Sequence, residues 1–165
     1  MEFWEAVRSV FSKYAQFSGR ARRSEYWWYS LFTVLVSLAL GAVDGAIFGF
    51  EESDPSPISG LYGLATFIPG LSVSVRRLHD TNRSAWWLAA PIFALVALFA
   101  LLPVARFSGA TDLETSSQIL TVAIFAIILT CLVILLAWFV TDGTHGPNRY
   151  GPDPKAPLQD ADIFS

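Results

Sequence analysis

The sequence predicts an all-α membrane protein with four transmembrane helices, an amphipathic amino-terminal helix and both termini in the cytoplasm. Three observations carry this. Of 165 residues, 53% are hydrophobic and only 15% charged, against about 25% charged in soluble domains, and the mean hydropathy is +0.47. Four mostly apolar runs of about 18–23 residues approach the length that crosses a bilayer. Finally, five Lys and Arg precede the first run, three lie between the second and third, and two follow the fourth, while Arg106 alone falls on the other side. Short loops keep their basic residues inside, so the termini and the central stretch are assigned to the cytoplasm.

Taken in order, residues 1–25 read as an interfacial helix and basic connector. Phe3, Val7, Val10, Phe11, Tyr14 and Phe17 recur at helical spacing, opposite Glu2, Glu5, Arg8 and Lys13. Such a helix either lies in the interface plane or packs on the cytoplasmic end of the spans. Residues 26–140 form the transmembrane part, with spans expected at about 26–50, 58–75, 85–105 and 118–140. Tyr26, Trp27, Trp28 and Tyr29 open the first span with rings suited to the headgroup level. Gly41, Gly45 and Gly49 recur every four residues along it, which favours close helix approach and makes this face the candidate surface for a homo-oligomer. Asp44 lies about 25 Å up that helix from Trp27, near the far interface, where a snorkelling or capping role is expected. An acidic turn, 51–57, leads to a second span interrupted by Pro69. The nine residues Arg76–Ser84 form a polar break, Ala85, Trp86 and Trp87 open the third span, and a polar connection over 106–117 leads to the fourth. Residues 141–165 are a cytoplasmic tail rich in Gly and Pro, expected as consecutive tight turns, with Gln159–Ser165 frayed.

Composition excludes some functions. A net charge of -3 and a pI near 5.2 argue against nucleic acid as a partner. The single cysteine, Cys131, lies in the last apolar run and reads as a small hydrophobe. No cleavage site follows the first span cleanly, so retention in the membrane by the chain's own helices is expected.

The predicted topology gathers three polar segments on one face: Arg20, Arg22, Arg23 and Glu25; then Arg76, Arg77, His79, Asp80 and Arg83; then Asp142, His145, Asn148, Arg149, Tyr150 and Asp153. His79, Asp80, Asp142 and His145 are of metal-ligand type, but their spacing matches no ligand pattern and the arginines repel a cation, so neither metal nor cofactor is assigned. The same four are weak candidates for acid–base chemistry, with His79 as base beside Asp80 or Asp142. Arginine forks at headgroup level suit phosphate, hence anionic lipid. Just as physical is internal pairing of Arg22, Arg76 and Arg77 with Glu25, Asp80 and Asp142, which would lock the helix ends together, with Asp142 well placed to meet Arg76 or Arg77.

Three motifs in order, Phe17–Trp28 (FSGRARRSEYWW), Arg76–Trp87 (RRLHDTNRSAWW) and Gly146–Pro154 (GPNRYGPDP), resemble the DUF805 family of small bacterial inner-membrane proteins of uncharacterised function. The resemblance covers about residues 10–155 and implies a helical membrane domain in the bacterial cytoplasmic membrane. Asn82 and Ala85 stand where the family often has Gly, and the 106–117 connection is longer than in many relatives. The resemblance brings no activity with it. The functional expectation is an integral inner-membrane protein whose Arg/His/Asp face binds anionic lipid headgroups, a small anion or a partner protein. The alternatives are a membrane-embedded enzyme using His79 with Asp80 or Asp142, and a small transporter or channel subunit.

Overall fold

The computed structural model describes residues 1–50, 56–107 and 113–156. The described chain is all helical, with no strand and a single isolated bridge between Asn148 and Gly151. It forms two compact units, one from residues 1–82 and the tail from Asp142, the other from Arg83–Thr141. Residues 51–55 of the expected acidic turn, 108–112 of the expected polar connection, and the terminal 159–165 lie outside the described residues.

In the first unit, helix α1 spans Phe3–Ser12 and opens with a capping box in which the Glu2 N–H donates to Glu5 Oε2 at 2.9 Å. It buries Ala6, Val7 and Val10 and packs on α2 (Arg23–Phe48) and α3 (Pro57–Asp80). Phe11 meets Tyr29 and Phe32 edge-on, at centroid distances of 5.8 and 6.2 Å. Of the two placements open to this helix, the chain thus adopts the docked one, while Trp4, Phe11, Tyr14 and Phe17 still face outward.

Pro69 lies inside α3. Lacking an N–H, it leaves the carbonyl four residues earlier, that of Ala65, without its helical donor. Tyr14 fills the gap, its hydroxyl donating to the Ala65 carbonyl at 2.6 Å. Tyr14→Phe therefore removes that donor, with an expected loss of about 0.5–1.5 kcal/mol, that of one hydrogen bond at an exposed position. Thermal unfolding in mild detergent checks this; an unchanged midpoint would show that the bond carries no weight.

The far end of α3 is capped from its neighbour. Ser56, the residue before Pro57, offers no side-chain cap. Asp44 of α2 instead accepts from the Ile58 and Ser59 amides at 3.1 and 2.7 Å, and from Ser59 Oγ at 2.7 Å. A carboxylate at a helix start satisfies otherwise orphaned N–H groups and suits the positive end of the dipole. Of the glycine series, Gly45 is covered by the Phe50 ring, which a Cβ there would overlap, Gly49 ends the helix at φ 116°, and Gly41 faces open space.

The central stretch is not a break at residue 76. Helix α3 runs on through Asp80, because Arg76, Arg77 and Asp80 find buried partners and the Arg77–Asp80 pair has helical spacing. The turn comes at Asn82, whose φ of 59° is left-handed. Asparagine tolerates that region, as glycine does freely.

In the second unit, Ser84 Oγ accepts from the Trp86 amide at 3.4 Å and starts a 3₁₀ turn over Ala85–Ala89. Helix α4 (Ala90–Phe107) and helix α5 (Leu113–Val140) follow and pack on each other. Both reach further into the expected 106–117 connection than the hydropathy pattern implies. Three described helical stretches are long and apolar enough to cross a membrane, Arg23–Phe48, Pro57–Asp80 and Thr121–Val140, and Ala85–Ala97 is a shorter apolar one.

Candidate functional site: a buried arginine clasp

The α1–α2 connector brings Arg20 against the end of α3, and the tail closes over both. Arg20, Arg76 and Arg77 are 8, 1 and 0% exposed, and Glu25 and Asp80 are each 2% exposed. Guanidinium groups this deep need carboxylates and carbonyls around them, since an unpaired buried charge costs several kcal/mol. Asp80 is the hub. Its Oδ1 accepts from Arg20 Nε at 2.9 Å, and its Oδ2 accepts from Arg77 Nη1. Glu25, in the first turn of α2, accepts from Arg76 Nη1 at 2.8 Å and from Ser9 Oγ at 3.1 Å, with Lys13 Nζ 3.8 Å away. Arg76 Nε and Nη2 have no partner among the described residues.

The tail completes the arrangement by bonding to backbone. Arg20 also donates from Nη1 to the Gly146 carbonyl at 2.6 Å and from Nη2 to that of Thr144. Arg22 donates through Nε, at 2.6 Å, and Nη2 to the Pro154 carbonyl. In return the tail and the connector cap the last turn of α3. Ala21 N–H donates to Arg76 O at 3.0 Å, Asn148 Nδ2 to His79 O at 3.0 Å, and Thr144 N–H and Oγ1 to Asp80 O at 2.9 and 3.1 Å. The His79 and Asp80 carbonyls are among those a helix end leaves orphaned, and the arginines around them suit the negative end of the dipole. Gly143 permits the approach, since a Cβ there would overlap the Asp80 carboxylate.

The tail holds its own shape as well. Tyr150 N–H donates to Asn148 Oδ1 at 2.9 Å, and Asp153 accepts from the Gly146 and Lys155 amides at 3.0 and 2.8 Å. Those two amides hold the Asp153 carboxyl below its usual range. The Lys155 hydrogen bond and the Arg23 charge do the same for Asp142. His79 stacks flat on Tyr150, with centroids 3.8 Å apart and planes 5° from parallel, and Arg149 lies over the far ring at 4.8 Å. His79 Nδ1 sits 3.2 Å from the Gly19 carbonyl, which fixes the proton on Nδ1.

The fold thus brings together Arg20, Arg22, Glu25, Arg76, Arg77, His79, Asp80, Asn148, Arg149, Tyr150 and Asp153. Asp142 is half exposed; it pairs with Lys155 at 3.0 Å and Arg23 at 3.8 Å and also feels the Arg77 charge, while Arg76 and Arg77 pair directly with Glu25 and Asp80. His145 is exposed. Arg83 belongs to the second unit, where its guanidinium lies 3.9 Å over the Trp138 ring, with Trp87 edge-on to the same ring. Both Asp80 oxygens face guanidinium groups, and His79 meets a carbonyl and a ring rather than a carboxylate. Among the described residues no three His, Cys, Asp or Glu side chains converge as a metal site. Sequence reasoning missed Ser9, Lys13, Gly143, Thr144 and Lys155. Their sole signal was proximity to the motifs, and Gly143 gives none, since it does not adopt positive φ.

The family described as "Protein of unknown function (DUF805)" matches residues 14–152. The chain is 37% identical over 147 residues to "Inner membrane protein YhaI" of Escherichia coli (strain K12), covering 89% of this chain and 92% of the relative. It is 33% identical over 146 residues to "Inner membrane protein YhaH" of the same strain, covering 88% and 93%. No solved structure matches the chain. The match spans all three polar segments of the clasp and most of the apolar helices, and the chain belongs to the DUF805 family of membrane proteins.

Proposed function

We propose that the protein is a four-span inner-membrane protein with both termini in the cytoplasm, whose polar face is a closed clasp carrying an anionic-lipid site on its rim. In this reading residues 1–25 and 141–165 form the cytoplasmic layer, and 26–140 the membrane part. The skewed distribution of Lys and Arg supports the orientation, and the inner-membrane relatives support the compartment. Because Arg20, Arg76 and Arg77 are buried in internal bonds, headgroup contact falls to the exposed basic residues.

One observation carries the lipid reading. A depression of about 470 Å³ at the start of α2 is lined by Arg23, Ser24, Trp27, Trp28 and Leu31. Arg23 is half exposed, and its Asp142 partner is equally exposed and 3.8 Å away. A cation above two interfacial indoles matches a phosphate above an acyl chain. Exposed Leu31, Leu35 and Leu38 continue the same side of the helix, to about 22 Å from Arg23, deeper than one leaflet of about 15 Å. Native mass spectrometry in mild detergent tests the site with phosphatidylglycerol and phosphatidylcholine. Arg23→Ala should reduce retained phosphatidylglycerol about tenfold, the equivalent of one charge-assisted bond. Arg149→Ala, an exposed arginine away from the depression, should not. Equal retention in both variants would refute the site.

A further inference from the structure

A second cavity lies between α2 and α3, with a volume of about 350 Å³, inside the range of small-ligand pockets. No Lys, Arg, Asp or Glu lines it, which sets it apart from the Arg23 depression and makes it unfit for a phosphate, whose charge would go uncompensated there. Six hydroxyl-bearing side chains line it: Tyr26, Tyr29, Ser30, Thr33, Thr66 and Ser74. The Ser and Thr hydroxyls each reach a carbonyl of their own helix, and Ser30 and Ser74 also bond the Tyr26 hydroxyl. Ser30 donates to Tyr26 O at 2.9 Å, Thr33 to Ser30 O at 2.9 Å, Thr66 to Tyr62 O at 2.8 Å, and Ser74 to Gly70 O at 2.7 Å. Tyr29 likewise gives its hydroxyl hydrogen to Thr66 O at 3.1 Å. A hydroxyl that donates inward keeps oxygen lone pairs to offer outward. The cavity is therefore rich in acceptors, which suits an occupant that donates.

Depth narrows the occupant. Ser74 is two residues before Arg76 and Thr66 ten before it, so the hydroxyls lie about 3–15 Å along the helix from the arginine level. That is the depth of the glycerol and upper acyl carbons of a lipid, below its phosphate. Exposed Phe67 and Leu71 form an apolar part of the wall. We propose that this cavity binds a neutral lipid alcohol of the diacylglycerol class, its free hydroxyl donating to the Ser and Thr oxygens and its chains running out past Phe67 and Leu71. Gly63 keeps the cavity open, because a Cβ there meets nothing within 4 Å.

The test uses 1,2-dioleoylglycerol and its 3-acetyl ester, which differ by one O–H donor. Native mass spectrometry of the full chain in mild detergent should show the alcohol retained about tenfold over the ester, the equivalent of one hydrogen bond. Gly63→Leu, whose Cβ enters open space and whose side chain occupies the cavity, should abolish retention of the alcohol at an unchanged unfolding midpoint. Thr66→Val, which removes an acceptor and keeps the shape, should reduce the preference. Equal retention of alcohol and ester by the wild type would overturn the proposal, as would a preference that survives both variants. A Gly63→Leu-sensitive preference for phosphatidylglycerol would overturn it too, by showing that the cavity takes an anion. None of these outcomes depends on Arg23.

Discussion

Asp80→Asn lowers the stability of the detergent-solubilised protein by about 3–5 kcal/mol, the range for leaving a buried charge without its partner. The size follows from the double role of the carboxylate. One oxygen holds Arg20 and the other Arg77, and both guanidinium groups are buried. An asparagine offers one acceptor oxygen, and its amide turns an N–H toward the second guanidinium. The loss is therefore larger than one missing hydrogen bond. Asp142→Asn is the matched control, because its side chain is 54% exposed in both of its pairs and exposed pairs contribute about 0–1 kcal/mol. Equal losses in the two variants would mean that Asp80 is no hub.

Gly143→Ala is expected to unseat the tail at a cost of about 1–3 kcal/mol, as for other overpacked sites. The added Cβ would overlap the Asp80 carboxylate, and relief requires moving either the hub or the tail. The tail is the cheaper to move, since it touches the rest of its unit through polar bonds at Arg20, Arg22, Arg23, Thr144, Asn148 and Arg149 and one ring stack, His79 on Tyr150, rather than through an apolar core. Limited trypsin digestion reads this out, with cleavage after Arg149 and Lys155 expected to accelerate. Gly41→Ala, in open space, should leave the pattern unchanged. An unaltered digestion of Gly143→Ala would show that the tail does not rest on Asp80.

Much of the architecture was legible because hydropathy and charge report directly on the solvent each segment prefers. The helical membrane character and the amphipathic face of α1 follow from spacing and position alone, and of the snorkelling and capping roles open to Asp44 the structure shows the cap. The motif residues of the clasp were legible as a group. Their pairing was not, because burial is a tertiary property. Beside apolar spans, Arg76 and Arg77 read equally as headgroup ligands or as partners of Glu25, Asp80 and Asp142, and only burial shows that they and Arg20 are enclosed cations. The pairing of Asp80 with Arg77 was accessible in principle from helical spacing, but only once the helix was known to continue past residue 75. Tyr14 shows the same limit. Pro69 announces an orphaned carbonyl, and nothing in the sequence says which side chain across 51 residues will reach it.

The clasp is tested most directly by a double-mutant cycle between Arg20 and Asp80, residues 60 positions apart and joined by a 2.9 Å ion pair. Unfolding free energies of Arg20→Ala, Asp80→Ala and the double variant would be measured against the wild type in one detergent. A coupling energy of about 1.5 kcal/mol or more is expected, within the range for buried partners in one network. Additivity within about 0.5 kcal/mol, the behaviour of independent sites, would contradict it.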